Sequence, residues 1–290
     1  MDEYVDNTGH RISLICISAL LVLSLMLCIC MCEYGISEVS ADEGTELFVL
    51  MYHNIIKDTE TPNKYEIRVS ELESDLAIIR ELGIETIVPS DLIAYREGRR
   101  ALPPRAVMLT FDDGYYSYVT MLLPLLERYD MCALVNVVGE YTRLNKDNPD
   151  VCRRYTYVDY DDIACLADSG RVEIGLHSYS YHHNRGAHNG ASMSRGESEA
   201  DYRLRLLDDT NRLQSELNRV GVTSNVYAYP YGAYSRCSDS ILGEAGIVCT
   251  LSCTEGVNHI THSSSLYLLR RYNRSGTGGS LESLFPFFRA

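Results

Sequence analysis

The most informative stretch of this 290-residue chain is a strand-like segment that ends in two carboxylates and a glycine, Val107-Met108-Leu109-Thr110-Phe111-Asp112-Asp113-Gly114. Its apolar and β-branched residues predict a buried strand, and the glycine marks a turn directly after it. In sheets of alternating strands and helices, functional sites form at the carboxyl ends of the strands. Two adjacent carboxylates repel each other, so we expect one to bind a metal ion and the other to handle protons. Taken alone, the tripeptide would also fit an ordinary Asx turn.

A second cluster of polar groups follows another short apolar strand, in Glu173-Ile174-Gly175-Leu176-His177-Ser178-Tyr179-Ser180-Tyr181-His182-His183. His177 and His182 are five residues apart in a segment whose Ser and Tyr content is typical of a loop. Neutral imidazoles suit a divalent ion such as zinc, and two of them with one carboxylate leave coordination positions for water and substrate. The alternative is a solvated histidine-rich loop without a ligand.

With a third stretch, these segments resemble the polysaccharide deacetylase family, also known as the NodB homology domain or carbohydrate esterase family 4. Thr110–Gly114, then His177-Ser178 with His182, then Tyr227–Gly232 match its three motifs in order and separation. The resemblance covers roughly residue 47 to the C-terminus and implies a distorted (β/α) barrel with fewer than eight regular repeats. The alternation of strands and helices alone predicts only an α/β fold with a parallel sheet.

The chain departs from the family pattern at two places. Ala228 stands where many members carry an arginine that orients the catalytic carboxylate, and Leu268–Asn273 lacks the Leu-x-His that supplies the general acid in many members. A subgroup that includes exopolysaccharide deacetylases of biofilm systems places the acid histidine on an N-terminal strand. Here the strand Leu47–Tyr52 runs into His53, which matches that arrangement, and Arg271 is the candidate for the missing guanidinium.

The resemblance also implies roles for individual residues. Asp112 would be the general base and His53 the general acid. The backbone amide of Tyr231 would stabilise the oxyanion together with one divalent metal ion, zinc or else cobalt or nickel. The implied metal ligands are Asp113, His177 and His182. These roles describe removal of N-acetyl groups from a cell-surface glycan of the peptidoglycan or poly-N-acetylglucosamine type.

Two alternatives to this function stay open at the level of the sequence. The first keeps a hydrolase but changes the bond, because the same fold hosts O-acetyl esterases and amide hydrolases that act on non-sugar compounds. The second is a non-catalytic, membrane-tethered module that binds a glycan. Loss of a motif carboxylate or histidine would favour this second alternative, and all of them are present.

The composition restricts the partners of the chain. The net charge of −14 argues against a nucleic-acid partner, which requires a basic face, and it also favours a neutral sugar polymer over an anionic one. The hydrophobic content of 46% supports a sizeable core. Because the chain has no tryptophan and 22 tyrosines, tyrosine rings are the candidates for stacking on sugars.

The N-terminal region predicts a contact with the lipid bilayer. Residues 12–32 carry no charge and are numerous enough to cross a membrane as a helix. The preceding tail, residues 1–11, is acidic rather than basic, which favours an uncleaved signal anchor over a cleaved signal peptide. We therefore expect a single-pass protein of the cell membrane, with a linker at residues 33–46 and an extracellular deacetylase domain at residues 47–290. Secretion after cleavage is the alternative.

Three local expectations can be compared directly with a structure. Ser70 is expected to cap a helix, one helix is expected over Tyr118–Tyr129, and a strand is expected over Leu266–Arg270.

Six cysteines lie outside the apolar run and follow no zinc-finger spacing. An extracellular location would allow disulfides among them, such as Cys249 with Cys253 or Cys132 with Cys165.

Overall fold

The computed structural model describes residues 44–147, 154–185 and 188–289. The predicted transmembrane segment at residues 12–32, the tail before it and nearly all of the predicted linker lie outside these ranges. Among the described residues, no helix is both long and apolar enough to span a membrane.

The described chain alternates short strands with helices. The strands are β1 (Thr45–Tyr52), β2 (Asn54–Ile56), β3 (Glu66–Arg68), β4 (Glu85–Thr86), β5 (Arg105–Phe111), β6 (Ala133–Val137), β7 (Val172–Leu176), β8 (Asn184–Arg185), β9 (His188–Asn189), β10 (Val226–Ala228), β11 (Cys249–Leu251), β12 (Asn258–Ile260) and β13 (Tyr272–Asn273). The α-helices are α1 (Val69–Glu81), α2 (Pro89–Arg96), α3 (Leu123–Tyr129), α4 (Gly139–Asp147), α5 (Tyr160–Asp168), α6 (Glu199–Asn218), α7 (Ser238–Glu244) and α8 (Leu281–Leu284). A π-helical turn (Tyr118–Leu122) precedes α3, and 3₁₀ turns lie at Pro230–Gly232 and Pro286–Phe288.

A curled, mainly parallel sheet forms the centre of the domain. Its strands follow the order β11-β10-β7-β6-β5-β1-β12, β13 also pairs with β1, and β4 also pairs with β5. The longest pairing joins β1 to β5 in parallel over seven residue pairs, from Glu46 with Arg105 to Tyr52 with Phe111. The predicted α/β fold with a parallel sheet is therefore confirmed, and the sheet has the curvature of a half-barrel.

Alternate residues of the strands pack into two separate cores, one on each face of the sheet. The core between the sheet and most of the helices includes Phe48, Leu50, Val107 and Leu109. The core on the other face includes Leu47, Val49, Ala106 and Met108. Because β1 and β5 are buried on both faces, their sequences are continuous apolar runs rather than alternating ones.

The segment that was expected to be a strand at Leu266–Arg270 connects the two ends of the sheet. Leu269 forms an isolated parallel bridge with Leu251 of β11, and the following β13 pairs with Leu50 and Met51 of β1. The segment is not a regular strand because Leu268 has a φ of +60°, which interrupts the extended backbone. The prediction of a strand here was wrong, although the segment does bond to the sheet edge.

Two helix boundaries also differ from expectation. Helix α1 begins at Val69, so Ser70 lies inside it, and the side chain of Glu71 accepts the backbone N–H of Arg68 at 3.0 Å instead. Where one helix was expected over Tyr118–Tyr129, a π-helical turn precedes α3. Pro124 gives a reason for the interruption, since it has no N–H to donate to the carbonyl four residues earlier.

The two disulfides considered from the sequence, Cys249 with Cys253 and Cys132 with Cys165, are absent from the structure. Cys132, Cys165, Cys237, Cys249 and Cys253 are all free thiols. Burial raises the pKa of Cys249 well above its usual value, so this thiol is a small apolar core residue at neutral pH.

Candidate metal and catalytic site

The two motif carboxylates leave the end of β5 in different directions. Thr110 and Asp112 follow Ala106 and Met108 in the strand's alternation, so they lie on the same face of the sheet. The backbone N–H of Asp112 still donates to the carbonyl of Tyr52 at 3.0 Å, but Asp113 has a φ of +77°. This left-handed turn explains how two neighbouring carboxylates serve two different groups of residues.

Asp113, His177 and His182 form a compact cluster that could hold a metal ion. One ligand atom from each residue lies within 4.8 Å of the other two. His182 Nε2 is 2.9 Å from Asp113 Oδ1, and His177 Nε2 is 3.6 Å from the same oxygen. The sequence prediction of a three-residue metal site thus corresponds to three side chains that the fold brings together.

The orientation of His177 fits the requirement of a divalent metal. Its Nδ1 lies 2.7 Å from the carbonyl oxygen of Ala228, which can only accept a hydrogen bond, so Nδ1 carries the proton. The lone pair of Nε2 therefore faces Asp113. Such an outer hydrogen bond is the usual way in which proteins fix the tautomer of a metal-binding histidine. Two imidazoles and one carboxylate are also a donor set typical of zinc with open positions.

Asp112 has a different environment, which is dominated by a buried guanidinium. Arg271 is fully buried and donates from Nη1 to Asp112 Oδ1 at 2.9 Å, and from Nε to the carbonyl of Ser252 at 2.8 Å. Asn136 Nδ2 donates to the same Oδ1 at 2.7 Å. Arg271 therefore occupies the position next to the carboxylate that was expected for the missing arginine of the third motif.

Burial and charge act in opposite directions on the carboxylate pair. Burial raises the pKa of Asp112, but the positive charge and hydrogen bond of Arg271 lower it by more, so the pKa lies well below its usual value. For Asp113, burial also raises the pKa, and the close contact with His182 brings the net value below normal. Burial lowers the pKa of His177 to about 4. At neutral pH the site thus presents two carboxylates and a neutral imidazole at His177, which is the form that binds metals.

A cavity of about 460 Å³ opens above these groups and also contains the remaining predicted residues. The lining includes His53 and Tyr231 together with Asp112, Asp113, His177 and His182. The Nδ1 atom of His53 is buried and, among the described residues, has no hydrogen-bond partner. The His53 ring packs on Tyr65, with 5.0 Å between the ring centroids.

Tyr231 also lines this cavity. It belongs to the 3₁₀ turn after β10 and has a φ of +58°. Its ring packs against that of His182 with 4.8 Å between centroids, and the residue is 48% exposed. The third motif therefore contributes to the cavity through both its backbone turn and an exposed aromatic ring.

Two residues that contact the site, Asn136 and Tyr141, were not among the predicted site residues. Asn136 is fully buried in β6 and contacts Asp112, and its only sequence signal was a polar residue in the otherwise apolar run Ala133–Val137. Tyr141 in α4 places its hydroxyl 2.9 Å from His182 Nδ1. No motif or spacing pointed to Tyr141, because its approach to His182 depends on how α4 packs.

Comparison with known proteins agrees with this combination of fold and site. A family model described as polysaccharide deacetylase matches residues 99–250, just over half of the chain. The chain therefore belongs to the polysaccharide deacetylase family, as its three motifs predicted. The chain is 26% identical over 202 residues to a poly-beta-1,6-N-acetyl-D-glucosamine N-deacetylase of Escherichia coli strain K12. That match covers 63% of this chain but only 30% of the relative's length.

Solved structures show the same fold. The deacetylase domain of BpsB from Bordetella bronchiseptica has a TM-score of 0.65 and 28% identity, over 81% of this chain and 97% of that one. A de-N-acetylase from Aggregatibacter actinomycetemcomitans has a TM-score of 0.70 at 22% identity, over 83% and 99% of the two chains. The curled α/β domain of this chain is thus that of family members.

Proposed function

We propose that this domain is a metal-dependent hydrolase that removes N-acetyl groups from a poly-N-acetylglucosamine-type glycan. One observation carries the proposal most directly: a carboxylate held by a buried arginine lies beside an Asp-His-His cluster in one open cavity. A module of this fold that only binds glycan would not need Asp112 to be buried, ionised and held by hydrogen bonds from both Asn136 and Arg271.

Asp113, His177 and His182 are the proposed metal ligands. A divalent cation held there would polarise the acetamide carbonyl and acidify the attacking water. Asp112 would accept a proton from that water. Since Arg271 and Asn136 both donate to Oδ1, we assign the proton acceptor to Oδ2.

The second half of the reaction needs a proton donor. When the bond between the acetyl carbon and the nitrogen breaks, the departing sugar amine must gain a proton, and histidine is well suited to deliver it near neutral pH. His53 lines the same cavity as the two carboxylates and is the proposed donor. The backbone amide of Tyr231 is the proposed oxyanion donor. The products are acetate and a free amine on the sugar.

The identity of the polymer is inferred from the name of a similar protein, and not from the shape of the cavity. The curated relative in Escherichia coli is named for poly-beta-1,6-N-acetyl-D-glucosamine. A neutral glycan also agrees with the net charge of −14. Tyr65 and Tyr231 line the cavity, and these two residues are 47% and 48% exposed, which makes them the candidates for stacking on sugar rings.

A substrate panel tests this function. The full-length protein with added zinc is incubated with poly-N-acetylglucosamine, chitooligosaccharides, peptidoglycan and acetylated xylan, and both acetate and free amine are quantified. We expect equal amounts of acetate and amine from poly-N-acetylglucosamine. Acetate without amine, from xylan alone, would instead indicate an O-acetyl esterase, and absence of acetate from every polymer would favour a binding module.

We further propose that the full-length chain is held at the cell membrane by residues 12–32, with the deacetylase domain outside. The supporting observation is the uncharged length of this segment. The full-length protein should sediment with membranes and resist carbonate extraction, and protease added to intact cells should digest the domain. A soluble mature protein whose N-terminus begins near residue 33 would show that the segment is a cleaved signal.

A further inference from the structure

A buried carboxylate holds the loop that joins the two histidines of the Asp-His-His cluster. Asp209 lies in α6 and is 4% exposed. Its Oδ2 accepts the backbone N–H of Tyr179 at 2.7 Å, and its Oδ1 accepts the backbone N–H and the hydroxyl of Ser180 at 2.8 and 2.9 Å. Both oxygens act only as acceptors, which is the pattern of an ionised carboxylate. All of these donors lie between His177 and His182 in the sequence.

Two further residues of α6 contact the same loop. Arg205 and Arg212 share one face of the helix with Asp209, because they lie four residues before it and three residues after it. The Cζ atom of Arg205 is 4.7 Å from the ring centroid of Tyr181. The Cζ atom of Arg212 is 3.8 Å from the ring centroid of Tyr179. Cations attract aromatic ring faces, so one face of α6 binds three consecutive loop residues.

The loop is bonded to helices on two sides, and the two sides satisfy different backbone groups. The carbonyl oxygens of Ser178 and Tyr179 accept backbone N–H groups at the start of α4, at 3.1 and 2.8 Å. Asp209 accepts the N–H groups of Tyr179 and Ser180. Without this carboxylate, the two N–H groups would lose their acceptor, and the loop would have to move to reach water.

The position of His182 relative to His177 depends on the course of this loop. The backbone N–H of His177 donates to the carbonyl of Val137 at 2.9 Å, so the first histidine is fixed by the sheet itself. Ser178 then has a φ of +69°, which turns the chain away from the strand. The loop brings the second ring back to within 5.0 Å of the first, measured between centroids.

We propose that Asp209 is a positioning residue that holds His182 within metal-binding distance of Asp113 and His177. The inference rests on the proposed metal site. Because the sheet fixes His177, loss of the Asp209 contacts should displace His182 and leave the other two ligands in place. A residue that only stabilises the fold would change the melting temperature and not the number of ligands that a metal receives.

The first test measures the zinc affinity of the full-length protein by competition with a chromophoric chelator. Asp209→Asn keeps the size of the side chain, but its NH₂ group cannot accept a loop N–H. We expect the zinc Kd to rise roughly 10–100-fold, the range typical of losing a contact that orients a metal ligand. Asp208→Asn is the matched control, since it makes the same change at the next residue, which is exposed. Its Kd should equal that of the wild-type protein.

The second test counts the histidine ligands. Pulsed EPR of protein loaded with one equivalent of Cu²⁺ reports how many imidazoles bind the metal, and we expect two in the wild-type protein and one in Asp209→Asn. Thr210→Val is the stability control. It removes the buried hydrogen bond from the Thr210 hydroxyl to the carbonyl of Leu206 in the same helix and leaves the loop contacts intact. Its melting temperature should fall while both imidazoles stay bound.

The outcomes separate this inference from the metal site on which it rests. An unchanged zinc Kd or two bound imidazoles in Asp209→Asn overturns the role of Asp209 and leaves the metal site standing. Loss of an imidazole in Thr210→Val as well would also overturn it, because helix stability alone would then explain the effect. If Asp209→Asn does not fold, Ser180→Ala replaces it. This variant removes one of the three hydrogen bonds and should raise the Kd by a smaller factor, and an unchanged Kd overturns the proposal. A wild-type protein that binds no zinc overturns the metal site itself.

Discussion

At the scale of single residues, the two aspartates of the motif have the same chemistry and different partners. Asp112 is oriented by Arg271 and Asn136, and Asp113 by two imidazoles. Fixing one oxygen of a carboxylate with two donors leaves the other oxygen as the base and prevents the side chain from rotating. The different partners, rather than the sequence Asp-Asp, assign the separate roles that we propose.

The two aspartates should therefore respond differently to the same substitution. Asp112→Asn removes the proposed base without touching the metal ligands, so zinc content should stay near one equivalent while kcat falls by roughly 10²–10⁴-fold. Asp113→Asn should lose zinc as well as activity. Zinc content by atomic absorption, measured beside kcat, distinguishes the two, and equal zinc loss in both variants would contradict the assignment.

His53 should be needed for the amine leaving group and not for the metal. In His53→Ala, zinc content should be normal and the rate of amide cleavage strongly reduced. An acetyl ester with a good leaving group needs less protonation, so its hydrolysis should fall much less. The control is Asp112→Asn, which should slow both substrates. If His53→Ala cleaves the amide at the wild-type rate, the general acid lies elsewhere.

At the scale of elements, the site depends on three adjacent strands in register. Strand β5 supplies the carboxylates, β6 supplies Asn136, and β7 leads into His177. In the pairing of β6 with β7, Asn136 lies opposite Gly175. A Cβ at Gly175 would lie 2.1 Å from Asn136 Oδ1, so the glycine provides the space that the amide occupies beside Asp112.

This arrangement predicts coupling between Gly175 and Asn136. Asn136→Ala removes one hydrogen bond to a charged group, which corresponds to roughly a 10–100-fold loss in kcat/KM. Gly175→Ala should displace the amide and cause a loss of similar size. In a double-mutant cycle the second substitution should cost little once Asn136 is alanine. Fully additive losses would show that Gly175 acts independently of Asn136.

The elements themselves were largely predictable where a strong apolar pattern exists. The short apolar run before His177 forms strand β7 (Val172–Leu176), and the helix expected after Ser70 forms α1, in which Leu72, Leu76 and Ile79 are buried and Leu82, just after it, is partly buried. Leu266–Arg270 also has an apolar pattern and was predicted as a strand. An apolar pattern does not indicate backbone dihedral angles, so the left-handed conformation of Leu268 could not be predicted from it. Helix α4 was missed because its sequence, GEYTRLNKD, contains only two large apolar side chains.

At the scale of the whole domain, the C-terminal segment completes the site from far away in the sequence. Arg271 is 159 residues from Asp112, and it reaches the carboxylate because the segment before β13 bonds to β11 and then pairs with β1. The motifs predicted which residues form the Asp-His-His cluster, since each motif sits at the end of a strand. Asn136 and Tyr141 were not predictable in the same way, because their contacts depend on the packing of neighbouring elements.

The central claim is that Asp113, His177 and His182 hold a metal ion on which deacetylation depends. The most direct measurement is acetate release from poly-N-acetylglucosamine by full-length protein that has been depleted with a chelator and then titrated with zinc. We predict that depletion abolishes the activity of the wild-type protein and that about one equivalent of zinc restores it, whereas His177→Ala is not restored at that concentration. Full activity of the depleted wild-type protein, or full restoration of His177→Ala by one equivalent of zinc, would contradict the account.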